Sequence, residues 1–414
     1  MIELNFSSLA GRLRRSEIRE LLKLTLKPDT ISFGGGLPDP AIFPYEAVQT
    51  ASTRAIKERG NQALQYSPTE GDPFLKEQLA QFMQRQGDMA NPENMLVVSS
   101  SQQGLDLLAK IFIDPGDPVI VERPTYVGTI QAFRAFGPDF QGVEMDYEGM
   151  IPDQLERIII RLLDGGRKPK FIYTIPDFQN PSGITLSLER RKRVLEIASK
   201  YNLLIVEDSP YRELRFKGAV LPSLYSMDTN GRVLLMKTFS KIFCPGFRIG
   251  WMVGPAPVID KMVVAKQGTD LCTSAFTSIL AGYLLKGGHL EKQIEISKAL
   301  YARKADTMLR ALERFMPAAD GLSWSKPDGG MFLWLTLPEY MDTVEMIKDA
   351  VELKVAYVVG VGFFYDGSGC NCMRLNYSYP TEEQIVLGIE RLSHLIKTRL
   401  RNKDQEVSRD LAVL

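Results

Sequence analysis

A lysine, a carboxylate and an arginine stand where a folded chain could use them for chemistry. Lys241 follows the apolar run "RVLLMKTF", and Arg248 comes seven residues later, between glycines in "PGFRIGW". Asp208 ends another apolar run, "LLIVED". A carboxylate at the end of a buried strand needs a cationic partner, and a desolvated lysine is a candidate nucleophile. A helix cap or a salt bridge remains the alternative for Asp208, and a surface salt bridge for Arg248.

Three further polar residues could join them. Asn180 precedes a proline and a turn in "PDFQNPSG", and Tyr211 lies three residues after Asp208. Arg374 alternates with apolar residues in "CMRLNYS", so we expect an anion opposite it. Taken alone, Asn180 is equally compatible with ordinary turn chemistry.

A phosphate site is indicated by "SSSQQGLDLLAKIF", in which a strand end and a polar turn precede an amphipathic helix. The N–H groups at a helix N-terminus bind phosphate. No G-x-G-x-x-G fingerprint follows a strand, which argues against a nicotinamide dehydrogenase. A phosphate site, a buried carboxylate and an activated lysine together match the needs of pyridoxal phosphate. Lys241 would form a Schiff base with the aldehyde, and Arg248 would bind the phosphate.

The elements that must position these residues alternate between strands and helices. Short apolar runs such as "MLVVSS", "PVIVE" and "KFIYTIP" alternate with helical patterns such as "SLERRKRVLEIASKYN", which predicts an α/β fold with a mostly parallel sheet. Ligands gather at the carboxyl ends of such strands, where the candidate residues lie. We predict an arm over residues 1–40 that joins the small domain, a large domain over 41–288 and a small α+β domain over 289–414.

Composition excludes several classes of function. Lys plus Arg and Asp plus Glu both number 50, so the charge predicts neither a nucleic-acid nor a membrane partner. Only two histidines occur, His289 and His394, which argues against a catalytic triad or a multi-histidine metal site, and we predict no metal. Four cysteines and the lack of an N-terminal apolar segment favour a cytoplasmic protein.

The motifs also carry a family resemblance. "TFSKIFCPGFRIGW", "NPSG", "EDSPY", "YSPTEGDPFLKEQL" and "MRLNYS" resemble, in order and spacing, the fold-type I, class I/II pyridoxal-phosphate aminotransferases. "SEIRELLKL" and "ISFGGGLPDPAIFP" are similar to the 2-aminoadipate and kynurenine subgroup. The resemblance implies a large domain with a mostly parallel seven-stranded sheet flanked by helices, and a smaller α+β domain.

The resemblance also implies roles for particular residues. Lys241 would carry the cofactor and move the proton between Cα and C4′, while Asp208 would pair with the pyridinium nitrogen. Tyr211 and Asn180 would hydrogen-bond the ring oxygen, and Tyr126 would stack on the ring. The residues around the phosphate would be Ser100, Ser101, Gln102, Thr238, Ser240 and Arg248. The family often has a Gly-Ser pair where this chain has Ser100 and Ser101, so a positive φ at Ser100 would carry a conformational cost.

Substrate contacts and the partner subunit are implied in the same way. Arg374 would pair with the α-carboxylate, with help from Gly36, and Tyr66 of the partner subunit would reach the phosphate, which requires a homodimer. Gly35 and Gly36 resemble a substrate-lining loop. The helix that carries Ser16 and Arg19 would then cover the site, with Arg19 available to a distal carboxylate.

The implied activity is amino-group transfer from a 2-aminoadipate, aromatic or branched-chain L-amino acid to a 2-oxo acid such as 2-oxoglutarate, in amino-acid metabolism and biosynthesis. Two alternatives stay open from sequence alone. One is a carbon–sulfur β-lyase on the same scaffold. The other is the ligand-sensing domain of a transcription regulator, which would need a DNA-binding module before the N-terminal arm; the short stretch before "ISFGGGLP" and the neutral charge disfavour it.

Overall fold

The structure of the chain is a computed structural model that describes residues 2, 4–13 and 29–413. Its strands are β1 (Ile31–Ser32), β2 (Met95–Val98), β3 (Pro118–Arg123), β4 (Asp139–Asp146), β5 (Gly149–Met150), β6 (Phe171–Thr174), β7 (Leu204–Asp208), β8 (Val233–Thr238), β9 (Gly250–Val253), β10 (Ser323–Trp324), β11 (Phe332–Thr336), β12 (Val355–Ala356), β13 (Val358–Val359) and β14 (Cys372–Asn376). Its α-helices are α1 (Ser8–Arg12), α2 (Tyr45–Ala63), α3 (Pro73–Arg85), α4 (Ser101–Phe112), α5 (Val127–Arg134), α6 (Pro152–Asp164), α7 (Leu188–Lys200), α8 (Leu224–Met227), α9 (Phe239–Ile242), α10 (Ala256–Gln267), α11 (Ala275–Lys286), α12 (His289–Phe315), α13 (Thr343–Glu352) and α14 (Glu382–Val413).

The expected mostly parallel sheet is confirmed. Its strand order is β2-β9-β8-β7-β6-β3-β4-β5. The pairs from β4 through β3, β6 and β7 to β8 are parallel, and β9 is antiparallel to both of its neighbours. The sheet has eight strands instead of the predicted seven. The extra one is the two-residue β5, which turns back on β4 because Asp146 Oδ1 accepts the Glu148 N–H at 2.8 Å and Gly149 adopts a φ of 94°.

Both faces of this sheet are buried, which explains its continuous apolar runs. Val121, Tyr173 and Val206 point into one cluster of core side chains, whereas Ile120, Ile172 and Ile205 point into another on the opposite face. This alternation follows from the two-residue period of a strand. The parallel strands thus bring their carboxyl ends to one edge, where Thr174, Asp208 and Thr238 end β6, β7 and β8.

A smaller antiparallel sheet, in the order β10-β11-β14-β13, lies between α12 and α14 in the sequence and carries Arg374 on β14. A capping box precedes the last helix, since Thr381 Oγ1 accepts the Gln384 N–H and Gln384 Oε1 accepts the Thr381 N–H. Strand β1 pairs with β12, while Arg12 Nε donates to Ala135 O at 2.9 Å. Within the described ranges, no helix has the length and apolar character needed to cross a membrane.

Candidate active site

Lys241 lies in α9, the short helix that begins directly after β8. Its Nζ donates a hydrogen bond to the carbonyl oxygen of Gly36 at 2.6 Å. Burial, with the nearby guanidinium groups of Arg374 and Arg248, lowers the pKa of Lys241 to about 8. A substantial share of the amine is therefore neutral near pH 7.5, which a nucleophile or a proton acceptor requires.

Asp208 ends β7 with its side chain almost fully buried. Its Oδ2 accepts the hydroxyl of Tyr173 at 2.7 Å. Its Oδ1 is buried and has no hydrogen-bond partner among the residues that the structure describes. Burial raises the pKa of Asp208 to about 7, and the Tyr173 hydrogen bond opposes that rise. One carboxylate oxygen is thus left for a group that the protein chain does not provide.

An anion cradle forms where the turn before α4 meets the segment around Arg248. The Arg248 Nη2 donates to Ser100 Oγ, and Thr238 Oγ1 lies 3.0 Å from Ser240 Oγ and accepts the Ser240 N–H at 3.1 Å. Ser101 begins α4, and its Oγ is buried without a partner in the described part of the chain. A helix N-terminus, hydroxyl groups and a guanidinium are the donors that phosphate attracts.

The cradle contains two strained backbone positions. Ser100 has φ 67° and Arg248 has φ 53°, both in the region that favours glycine. Gly250 permits the close approach, because a Cβ there would lie 3.0 Å from the backbone atoms Ser100 C and Ser101 N. The conformational cost anticipated for Ser100 is therefore present, and it is incurred where the phosphate donors converge.

Arg374, Asn180 and Tyr211 form a buried group between the two sheets. Arg374 Nη1 donates to Asn180 Oδ1 at 2.8 Å, and Nη2 donates to Gly34 O at 2.9 Å. Asn180 Nδ2 is 3.5 Å from the hydroxyl oxygen of Tyr211. The guanidinium lies over the Phe332 ring at 4.2 Å, and burial lowers the pKa of Arg374 to about 10. Its Nε is buried and has no hydrogen-bond partner among the described residues, so one donor is available to bind an anion.

Tyr126 and Gln102 belong to the same neighbourhood. Tyr126 precedes α5 and lies near enough to interact electrostatically with both Tyr211 and Arg374. Gln102 Nε2 donates to Gly128 O at 3.1 Å, which joins the cradle to that helix. Gly36 lies close to both Phe332 and Lys241, since a Cβ at Gly36 would lie 3.2 Å from Phe332 Cζ and 3.9 Å from Lys241 Nζ. A Cβ at Gly35 would instead contact the side chain of Leu37.

Tyr66, predicted to act from the partner subunit, does not join this group within its own chain. Tyr66 is 78% exposed and lines a separate surface cavity of about 540 Å³. Ser16 and Arg19 lie outside the described residues. No cluster of His, Cys, Asp or Glu able to hold a metal ion occurs within residues 29–401 or the described N-terminal stretch.

Sequence reasoning missed two side chains beneath the site, Tyr173 and Glu122. Glu122 Oε1 accepts the Thr174 hydroxyl, and its Oε2 accepts the Ile175 N–H and one amide hydrogen of Gln179. Gln179 precedes Asn180, so Glu122 supports the loop that holds it. Glu122 ends an apolar run, as Asp208 does, and the same signal could have identified it. The sequence gives a weaker indication for Tyr173, because it shows only that a hydroxyl-bearing residue lies within the apolar run "KFIYTIP".

The unpaired atoms test whether pyridoxal phosphate fits. The free Asp208 Oδ1 suits a protonated ring nitrogen, the cradle at Ser100 and Ser101 suits a phosphate, and the Lys241 amine suits an aldehyde. Within the site, the unpaired Asp208 Oδ1, the unpaired Ser101 Oγ of the cradle and the Lys241 amine each match one functional group of that cofactor. The residues therefore fit the group, with Asp208, the cradle and Lys241 as the residues that would hold it.

Known proteins resemble the chain over nearly its whole length. The family model for aminotransferase class I and II matches residues 34–392. The aromatic-amino-acid aminotransferase 1 of Thermococcus litoralis is 45% identical over 397 residues, which cover 96% of this chain and 95% of that protein.

Two solved structures are also similar. The kynurenine aminotransferase of Pyrococcus horikoshii has a TM-score of 0.92 and 44% identity, covering 95% of this chain and 97% of that one. The alpha-aminoadipate aminotransferase of Thermus thermophilus, complexed with N-(5'-phosphopyridoxyl)-L-leucine, has a TM-score of 0.88 and 40% identity, covering 96% of this chain and 98% of that one.

Proposed function

This chain belongs to the class I and II aminotransferases, which use pyridoxal phosphate, and on that premise we propose that it moves the amino group of a 2-aminoadipate, aromatic or branched-chain L-amino acid to a 2-oxo acid such as 2-oxoglutarate. The observation that carries the proposal is Arg374, buried with an Nε that has no partner in the described chain, near the Lys241 amine. This arrangement suits an α-amino acid, whose carboxylate and amino group would meet Arg374 and the cofactor.

When bound, pyridoxal phosphate supplies an aldehyde that accepts the amino group and a ring that withdraws electrons from the bonds to the substrate's Cα. Asp208 would hold the ring nitrogen protonated through its free Oδ1. Tyr211 and Asn180 would hydrogen-bond the ring oxygen, and Tyr126 would lie against the ring. Lys241 would carry the cofactor, and its released amine would move the proton between the substrate's Cα and C4′. The lowered pKa of Lys241 suits that transfer near neutral pH.

Substrate recognition rests on the same buried arginine. Arg374 is held by Asn180 and Gly34 O, so its orientation is set before a carboxylate arrives. Phe332 beneath the guanidinium contributes an apolar surface. Relatives named for aromatic, kynurenine and alpha-aminoadipate substrates support a broad range of amino-acid substrates for this chain. Arg19 of the N-terminal helix pairs with the distal carboxylate of acidic substrates in this proposal, with Ser16 and Gly35 beside it.

We further propose a homodimer with shared sites. Leu64 and Tyr66 are 76% and 78% exposed and lie two residues apart, so this stretch offers an apolar surface to a partner subunit. Tyr66 of the partner subunit would then reach the phosphate cradle. We propose that the enzyme is cytoplasmic and acts in amino-acid biosynthesis. We also propose a large domain over residues 41–288 and a small domain over 289–414, with residues 1–40 as an arm that joins the small domain.

The direct test incubates the purified, cofactor-loaded protein with single amino acids and 2-oxoglutarate and measures the glutamate formed. We expect glutamate from 2-aminoadipate, from an aromatic amino acid and from leucine. Omitting 2-oxoglutarate is the control, and it should abolish product formation in all three reactions. Pyruvate and ammonia released from a cysteine conjugate without glutamate would support the β-lyase instead. Inactivity on every amino acid of the three classes would refute the proposed substrates.

A further inference from the structure

Asp208 is hydrogen-bonded on one oxygen only, and its partner is Tyr173 of the neighbouring strand. The Tyr173 hydroxyl donates to Asp208 Oδ2 at 2.7 Å, and Oδ1 has no partner in the described chain. Both side chains are buried. A carboxylate with one oxygen fixed in this way cannot rotate without breaking a buried hydrogen bond, which is costly.

The Tyr173 ring is itself held in place. It packs edge-on against Phe133, with ring centroids 6.0 Å apart and planes at 83°, and Phe133 packs in turn on Phe171 at 5.5 Å. Tyr173 sits on β6, whose register with β7 sets it opposite Val206, two residues before Asp208. The register of the sheet and the packing against Phe133 therefore fix the position of the Tyr173 hydroxyl next to Asp208.

From this geometry we propose that Tyr173 is a positioning residue for the reaction: it fixes Asp208 Oδ2, aims Oδ1 at the ring nitrogen of pyridoxal phosphate and keeps the proton of that pair on the ring. The inference rests on the proposed role of Asp208. It adds a residue that never touches the cofactor and acts only through the carboxylate.

The charges of the pair support this arrangement. Burial, followed by the negative charge of Asp208, raises the pKa of Tyr173 well above its ordinary value, so Tyr173 keeps its proton and remains a donor. Burial also raises the pKa of Asp208, and the Tyr173 hydrogen bond opposes that effect. Removing the donor destabilises the carboxylate, so the proton shared with the ring nitrogen moves toward the carboxylate. A hydrogen bond to a charged group corresponds to roughly 10- to 100-fold in such an equilibrium.

The test uses holoenzyme loaded with pyridoxal phosphate that carries ¹⁵N in the ring, and it reads the ¹⁵N chemical shift, which reports protonation of that nitrogen. In the Tyr173→Phe protein, the ring that packs on Phe133 is kept and only the hydroxyl is lost. We expect its signal to move from the pyridinium position toward that of neutral pyridine. Asp208→Asn should show the largest move.

The matched control is Tyr357→Phe, because Tyr357 is also buried and its hydroxyl donates at 2.7 Å to Thr343 O, at the start of α13 and away from the site. Its ¹⁵N signal should equal that of the wild type. A wild-type-like signal in Tyr173→Phe alongside a shifted Asp208→Asn would overturn the inference while the role of Asp208 stands. An unprotonated nitrogen in the wild type would overturn the role of Asp208 first.

Should Tyr173→Phe not fold, placing 3-fluorotyrosine at Tyr173 tests the same hydrogen bond with the hydroxyl retained. The fluorine makes the hydroxyl a stronger donor, so as the pH is raised the ring nitrogen should keep its pyridinium signal to a higher pH than in the wild type. A pH titration of the ¹⁵N signal identical to that of the wild type would also overturn the inference.

Discussion

Arg374 Nη1 donates a hydrogen bond to Asn180 Oδ1 at 2.8 Å, and this contact joins the large sheet's loop after β6 to the strand β14 of the small sheet. Asn180 also approaches the Tyr211 hydroxyl through Nδ2. The Asn180 amide oxygen therefore faces the proposed carboxylate site, and its amide nitrogen faces the proposed cofactor site. Binding at either site is coupled to the orientation of the other through one side chain.

Arg374→Lys should raise KM for the amino acid by roughly 10- to 100-fold, with a smaller change in kcat. A lysine has one compact charge and cannot contact Asn180, Gly34 O and a carboxylate with the planar fork of a guanidinium, so about 1.5–3 kcal/mol of charged hydrogen bonding is lost. Steady-state kinetics measures this. Arg303→Lys, at an exposed position, serves as the control. An unchanged KM in Arg374→Lys would mean that the carboxylate binds elsewhere.

Gly250→Ala should weaken pyridoxal phosphate binding by about tenfold or more. The added Cβ would meet backbone atoms of the Ser100 and Ser101 turn at 3.0 Å, and overpacking of this kind costs about 1–3 kcal/mol. Equilibrium dialysis gives the dissociation constant. Gly246→Ala is the matched control four residues earlier, because its Cβ would meet nothing within 4 Å. Equal affinities in the two variants would show that the turn does not hold the phosphate.

The strand ends illustrate how far sequence reasoning reached. Apolar runs followed by polar residues predicted that Asp208, Asn180 and Lys241 would come to one edge of a parallel sheet, because hydrophobic pattern fixes strand identity and direction. The Tyr173 contact could not be predicted in the same way. It depends on the register between β6 and β7, which the packing of the whole sheet sets and a single strand's pattern does not contain.

Glu122→Gln should reduce the pH dependence of stability. Burial raises the pKa of Glu122 from 4.5 to about 7, so the folded chain favours the protonated form. The stability from this group is fully present below pH 4.5 and is lost as the pH rises to about 7. Glutamine mimics the protonated acid.

The free energy of unfolding of the holoenzyme, measured in urea at pH 5 and pH 8, should therefore fall less in Glu122→Gln than in the wild type, by roughly 1–3 kcal/mol. Glu148→Gln, at an exposed position, should behave like the wild type. A Glu122→Gln protein with the wild-type difference between the two pH values would show that Glu122 stays ionised throughout.

A mixture of Tyr66→Phe and Lys241→Ala chains should be more active than either variant alone. If Tyr66 of the partner subunit serves each cradle, a mixed dimer contains one site with both defects and one with neither. Turnover after the two variants are unfolded and refolded together measures this, and each variant refolded alone is the control. Full activity in a strictly monomeric wild type would contradict the shared site.

The attachment point of the cofactor tests the central claim most directly. Borohydride reduction of the holoenzyme, followed by mass spectrometry of its peptides, should find the cofactor on the peptide that contains Lys241. Lys241→Ala should yield no labelled peptide and lose roughly 10²- to 10⁴-fold in turnover, because the proton-transferring amine is gone. Lys261→Ala, at an exposed position on α10, should retain both label and turnover. Label on a different lysine, or wild-type turnover in Lys241→Ala, would contradict the account.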